Sequence, residues 1–190
     1  MPSPIRSIIE NYGCDCIERS EPIDVELLKK YSIDIAVSYL FRHIIKKSSI
    51  DYLNGKIINL HISFLPWNRG ADPNLWSFLE NTPKGVSIHY VDEGLDTGDI
   101  IAQEGVRMDI DSETLASTYE ILNSEILELF KIQWPLIMRG ECSRKKQAPG
   151  GTYHCLKDKQ AYMHLLSDKG WDTPIEYLLG KALSKSKTTI

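Results

Sequence analysis

Two mostly apolar runs with a short helical stretch between them constrain the fold of this chain more than any other feature. Ile33–Tyr39 and Lys56–Ile62 carry few polar residues. Runs of that kind mark strands buried on both faces, as in a parallel sheet. Lys46–Leu53 between them predicts a short helix, which gives a strand–helix–strand unit. Upstream, Pro4–Tyr12 predicts a helix with Ile5, Ile8 and Ile9 on one face and Gly13 just past its end. Cys14–Ile17 is a short strand candidate. Asp24, after Pro22, opens a second helix carrying Val25, Leu27 and Leu28. The alternation predicts an α/β layer architecture.

The rest of the chain continues that pattern. Leu65–Asp72 is a loop rich in Pro, Asn and Gly, and Pro73–Glu80 a helix with Leu75, Trp76 and Leu79 inward. Gly85–Val91 and Ile100–Met108 are strands separated by a turn holding Gly94 and Gly98. A long helix starts at Ser112-Glu113-Thr114 and runs to about Met138. Its stripe of Leu115, Tyr119, Leu122, Ile126, Leu129 and Phe130 suits a core, a dimer surface or a coiled coil. Ala148–Gly151 is a linker. Tyr153–Leu166 and Trp171–Leu183 form an appendage, and Lys185–Ile190 a frayed tail. The expected domains are 1–147 and 148–190.

Bulk properties exclude several classes. The chain has 190 residues and a net charge of −4 with acids and bases interspersed, so no basic stripe is available for nucleic acid. Arg144, Lys145 and Lys146, beside Arg139, form the one basic cluster, which suits a solvated loop after a helix. No segment approaches the roughly 20 apolar residues of a membrane helix, and Met1–Glu10 lacks the pattern of a signal peptide. Cys14, Cys16, Cys142 and Cys155 show neither Cys-x-x-Cys pairing nor a His at zinc spacing. Buried or neutral thiols in a reducing, cytoplasmic setting follow.

The chemistry sits in Ile57-Ile58-Asn59-Leu60-His61-Ile62-Ser63-Phe64-Leu65-Pro66. Side chains alternate along a strand, so Asn59, His61 and Ser63 share one face. Burying an amide and an imidazole unpaired costs on the order of 1–3 kcal/mol each. They are either satisfied core polars or a ligand site, and ligand sites in α/β sheets cluster at the carboxyl ends of strands, where these two stand. The second signal is Gly85-Val86-Ser87-Ile88-His89-Tyr90-Val91-Asp92-Glu93-Gly94-Leu95-Asp96-Thr97-Gly98-Asp99-Ile100-Ile101, a strand running into an acidic glycine-rich turn where the next strand begins. Its spacing does not match an EF-hand. A solvated turn and a turn whose carboxylate pairs with His61 are the two remaining readings.

Taken in order, Asn59-x-His61-x-Ser63-x-Leu65-Pro66, Arg69-Gly70, Gly85-Val86-x-Ile88-His89 and Leu95-Asp96-x-Gly98 resemble the folate-dependent formyltransferase family. That family includes glycinamide ribonucleotide transformylase, methionyl-tRNA formyltransferase and the amino-sugar N-formyltransferases. The resemblance is strong over about residues 30–140. It implies a Rossmann-like formyltransferase fold: a mostly parallel sheet flanked by helices, here without the usual first strand, and a small C-terminal appendage. It also implies 10-formyltetrahydrofolate as co-substrate, no metal, and Asn59, His61 and Asp96 as the catalytic set. The family's second, mainly structural histidine falls on His89. Folate would be lined by Arg42, His43, Ile44 and Ile45 and by Asp92, Glu93 and Gly94.

Among the branches, Trp67-Asn68-Arg69-Gly70-Ala71-Asp72-Pro73-Asn74, Ser38-Tyr39-x-x-Arg42-His43-Ile44-Ile45 and Gly150-Gly151-Thr152-Tyr153-His154 look like the amino-sugar enzymes. The implied acceptor is the amine of a nucleotide-linked amino sugar, on a lipopolysaccharide or surface-polysaccharide route. A nucleotide sugar needs an aromatic to stack the base and donors for the pyrophosphate. Trp67, Arg69, Tyr153 and His154 are the candidates, although Trp67 could equally cover the core and Tyr153 pack the appendage. The alternatives are glycinamide ribonucleotide or another small amine, a non-catalytic binder, and a formyl-folate hydrolase. A homodimer is expected, with no nucleic acid or membrane partner.

Overall fold

The acceptor and donor pattern of each short segment explains why the elements form where they do. A computed structural model describes residues 3–183, so the expected frayed tail at Lys185–Ile190 lies outside the described residues. Helix α1 (Pro4–Glu10) starts with proline, whose missing N–H costs nothing at a first helical position. Helix α2 (Val25–Lys30) is capped by Asp24, whose carboxylate accepts from Leu27 N–H at 2.9 Å. Asp24→Ala should therefore cost about 1 kcal/mol, read as a small fall in the denaturation midpoint with no change in slope.

Strand β1 (Ala36–Tyr39) is shorter than the apolar run predicts. Ile33 is taken by the end of α2, its N–H donating to Leu28 O at 3.0 Å, and Ser32 is left-handed at φ 49. Helix α3 (Lys47–Tyr52) leads to β2 (Ile57–His61). The two strands pair in parallel, with Ser38 opposite Asn59. A two-residue strand β3 (Arg69–Gly70) precedes α4 (Pro73–Leu79) and is followed by β4 (Gly85–Tyr90) and β5 (Ile100–Gly105). Helix α5 covers Leu115–Arg139, and β6 (Tyr153–His154) is followed by 3-10 turns over Asp158–Asp172 and Ile175–Tyr177.

The sheet order is β1-β2-β4-β5, with β3 and β6 paired separately. The expected mostly parallel sheet is corrected here to a mixed one. Tyr90 N–H donates to Asp99 O and Val106 N–H to Lys84 O, so β4 and β5 run antiparallel. The turn joining them is shorter than the dozen or so residues a parallel crossover needs. Val91 N–H donates to Ile57 O at 2.8 Å, which sets the end of β4 against the start of β2. Cys14–Ile17 is not a strand. Its residues alternate in exposure, but Ile17 stays 43% exposed and the segment joins no sheet.

The described chain forms two compact units. Met1–His61, Ile88–Ala102 and Ile126–Gln147 make the first, and Ile62–Ser87, Gln103–Glu125 and Ala148–Ile190 the second. In the first, Leu28, Leu53 and Ile57 form a buried cluster with Ile45, Ile50 and Val91 packed on it. In the second, Leu75, Trp76, Phe78 and Leu79 of α4 meet Leu115, Leu166, Ile175 and Leu178. The buried stripe of α5 is Leu115, Leu122, Ile126, Phe130, Trp134 and Ile137, while Tyr119 of the expected stripe is exposed. No helix among the described residues is long and apolar enough to cross a membrane.

Candidate active site

Strand alternation and one strained turn bring four polar side chains of the first unit together. Asn59 and His61 sit two apart on β2, and His61 is only 7% exposed. His89 comes from β4 and is also buried. Asp96 stands on the turn between β4 and β5 with φ 53. A left-handed backbone is uncommon for a non-glycine residue, but Asp and Asn tolerate it better than most.

The contacts fix one another. His89 Nδ1 lies 2.8 Å from Tyr90 O. A carbonyl only accepts, so Nδ1 carries a hydrogen, and in the neutral ring Nε2 is the acceptor. Asn59 Nδ2 is 3.2 Å from that Nε2 and 3.1 Å from Asp96 Oδ1. Both amide hydrogens of Asn59 are therefore engaged, and the opposite amide orientation would press its carbonyl against two acceptors. The other carboxylate oxygen, Asp96 Oδ2, is 3.7 Å from His61 Nδ1. The Asp96 side chain is 11% exposed and that of His61 9%. The set offers an imidazole, a carboxylate acceptor and an amide donor within a few ångströms.

The turn itself is built from side chain to backbone. Asp92 Oδ1 accepts from Gly94 N–H and, at 2.6 Å, from Thr97 Oγ1. Gln147 Nε2 donates to Asp96 O at 2.7 Å and to Gly98 O at 2.9 Å. Glu93 pairs with Lys47 at 2.7 Å, and hydrogen bonds to Glu93 and then Asp51 push the Lys47 ammonium above its ordinary range. A cavity of about 460 Å³ opens here, lined by Asp92, Glu93, Gly94, Lys47, Tyr90 and Arg144 among others. The Arg144 guanidinium lies over the Tyr90 ring at 3.5 Å. Burial first, and then the Cys142 thiol at 3.0 Å, push the Tyr90 hydroxyl upward. Of the other expected folate-lining residues, Arg42, His43 and Ile44 are exposed and Ile45 packs on the core beside Ile57.

The four expected nucleotide-binding residues lie in the second unit. Arg69 and Tyr153 are paired across β3 and β6. Tyr153 is 54% exposed, Arg69 and Trp67 are half-buried, and Trp67 O accepts from Ser63 Oγ at 2.8 Å. His154 turns the other way. It is 8% exposed, stacked on Trp76 at 3.6 Å and 4°, with Nε2 3.2 Å from Glu80 Oε2. Gly70 is required there, because a Cβ would stand 2.3 Å from His154 O. Leu65 is tied down by Ser87 Oγ and by Gln103 Nε2, which donates to Leu65 O at 2.8 Å.

The role of His89 in orienting Asn59, and the contacts of Gln147, Ser87 and Gln103, were not foreseen from the sequence. Each bond joins residues at least 16 positions apart, so no local pattern carries them. Among the described residues no group of three or more His, Cys, Asp or Glu could hold a metal ion.

Residues 2–129 match the formyl transferase family. The chain is 47% identical to the formyltransferase PseJ from Anoxybacillus kamchatkensis, whose crystal structure holds UDP-4,6-dideoxy-4-formamido-L-AltNAc and tetrahydrofolate; the TM-score is 0.89, covering 94% of this chain and 93% of that one. The fold is therefore that Rossmann-like α/β formyltransferase fold. The N-formyltransferase from Helicobacter canadensis, in complex with folinic acid and dTDP-3-aminofucose, is 28% identical with a TM-score of 0.63, over 72% of this chain and 50% of that one. Methionyl-tRNA formyltransferase from Agathobacter rectalis is 34% identical over 127 residues, 65% of this chain, and this chain spans only 41% of its length.

Proposed function

The chain belongs to the formyl transferase family, its match covering residues 2–129, and from that premise we propose that it transfers the formyl group of 10-formyltetrahydrofolate to the amine of a nucleotide-linked amino sugar. The observation that carries this reading is the Asn59–His61–Asp96–His89 cluster, set in a chain 47% identical to a formyltransferase solved with a UDP-formamido sugar and tetrahydrofolate.

The chemistry asks little beyond what these groups supply. The acceptor amine attacks the formyl carbon, a C–N bond forms, and the carbonyl oxygen gains negative charge. A donor aimed at that oxygen is the main requirement. His61 as an imidazolium is one such donor. Asn59 becomes the second when Asp96 releases its Oδ1 contact and turns to His61. The Asp96 carboxylate, the acceptor of the set, then takes the proton lost by the attacking amine. The bond from the formyl carbon to N10 breaks, and N10 receives a proton as tetrahydrofolate leaves. Atoms and charge balance with no further reactant.

Arg69 and the exposed Tyr153 are suited to the pyrophosphate and base of the sugar nucleotide. Arg42, His43, Ile44 and Ile45 and the Asp92–Gly94 stretch are suited to folate. A cytoplasmic homodimer completes the reading, with Ile132 on α5, 65% exposed, as a contact. The test is incubation with 10-formyltetrahydrofolate and a panel of nucleotide-linked amino sugars, with glycinamide ribonucleotide and methionyl-tRNA beside them, following tetrahydrofolate release and product mass. One amino-sugar product heavier by a formyl group is expected. Formate without a formylated amine would instead mark a hydrolase.

A further inference from the structure

We propose that Gln147 is a positioning residue, whose side-chain amide fixes where the Asp96 carboxylate stands against Asn59 and His61. The inference rests on reading Asn59, His61 and Asp96 as the transfer site. Asp96 is held in a left-handed conformation at φ 53, and the direction of its side chain follows the orientation of its own peptide. That peptide is gripped from outside the turn. One nitrogen, Gln147 Nε2, donates to the carbonyls of Asp96 at 2.7 Å and Gly98 at 2.9 Å.

The grip is itself built by register. Ile100 N–H donates to Lys145 O at 2.8 Å, Lys145 N–H returns the bond to Ile100 O at 3.0 Å, and the bridge is antiparallel. Ser143 Oγ donates to Ile101 O at 3.1 Å. Two residues further along an antiparallel pair, Gln147 falls opposite Gly98. The polar segment after α5 thus returns to the sheet and delivers a primary amide to two carbonyls of the turn. Few side chains can replace it. A hydroxyl has one hydrogen, a carboxylate none, and Asn is a methylene short.

The consequence is geometric. A misplacement of about 1 Å at a reacting group can cost on the order of 100-fold in rate. Gln147→Ala and Gln147→Met, the second keeping the length without the donors, should each lower kcat about 10- to 100-fold. The KM for the acceptor should change little. A second readout needs no substrate. In an NMR titration of the unliganded protein, His61 is faced by Asp96 and by the His89 ring. Displacing Asp96 should move the His61 midpoint downward in both variants, as a neighbouring carboxylate is lost. Unchanged kcat and an unchanged His61 midpoint, or a fall in thermal stability alone, would overturn the proposal. If the wild-type protein transfers formyl to no amine, the functional reading fails, and the His61 titration still decides whether Gln147 positions Asp96.

Discussion

In the His61→Ala protein, single-turnover formyl transfer is expected to fall by about 1,000-fold while folate still binds with near wild-type affinity. The size follows from what the side chain loses. Loss of one oxyanion donor typically costs about 10²- to 10³-fold, and the side chain removed is also the one whose Nδ1 stands 3.7 Å from the Asp96 carboxylate. Alanine removes the oxyanion donor and leaves the Asp96 carboxylate without its imidazole neighbour. The fold survives, since Asn59 remains bonded to Asp96 and His89. Single-turnover conditions matter because they separate the chemical step from product release. The pH profile gives a second check. Donation to the oxyanion needs the imidazolium, so wild-type transfer should fall as pH rises through the His61 titration, and that limb should vanish in His61→Ala. A variant that kept the limb, or lost less than about ten-fold in rate, would remove His61 from the mechanism. Asn59→Ala should cost about 10²- to 10³-fold, the loss typical of one oxyanion donor.

How far the sequence alone reaches can be argued from these same residues. Asn59 and His61 were legible because strand alternation has a period of two, so an Asn-x-His pair in an apolar run must share a face. Asp96 was legible only as part of a family pattern; the composition of its turn fits a solvated loop equally well. Strand direction was not legible. Periodicity reports burial and says nothing of which way a neighbour runs, so the antiparallel pairing of β4 and β5 emerged only from the bonds Tyr90–Asp99 and Val106–Lys84. Cys14–Ile17 shows the opposite failure, an alternation of exposure with no neighbour to pair with. The Tyr153-His154 pair shows a third limit. Both read as candidate nucleotide contacts, but a two-residue strand sends one side chain out and one in, and Trp76 and Glu80 engage His154. Gln147 was hidden because its partners lie 51 and 49 residues away.

The turn that carries Asp96 should also be the place where a single methyl group does the most harm. Gly98 does not need glycine for its backbone angle; it needs glycine for room. A Cβ at this position would sit 1.8 Å from Tyr90 O and 2.8 Å from Tyr90 C, and both obstacles are backbone. No rotamer change relieves such a clash. The end of β4 is tied here by the bond from Tyr90 N–H to Asp99 O at 2.9 Å, so Gly98→Ala must break that tie or push the turn outward. Overpacking of a tight site costs about 1–3 kcal/mol, and a backbone obstacle puts the expected loss near ~3 kcal/mol in urea denaturation. Because Asp96 lies two residues before Gly98 and shares the Gln147 amide with it, the survivors should also lose about 100-fold in kcat. Gly105→Ala is the matched control. Gly105 ends β5, and a Cβ there meets nothing within 4 Å, so stability should hold within about 0.5 kcal/mol and transfer should be unchanged. Equal stability and activity in the two variants would mean that the turn flexes freely, and the transfer site would then owe nothing to its close packing against Tyr90.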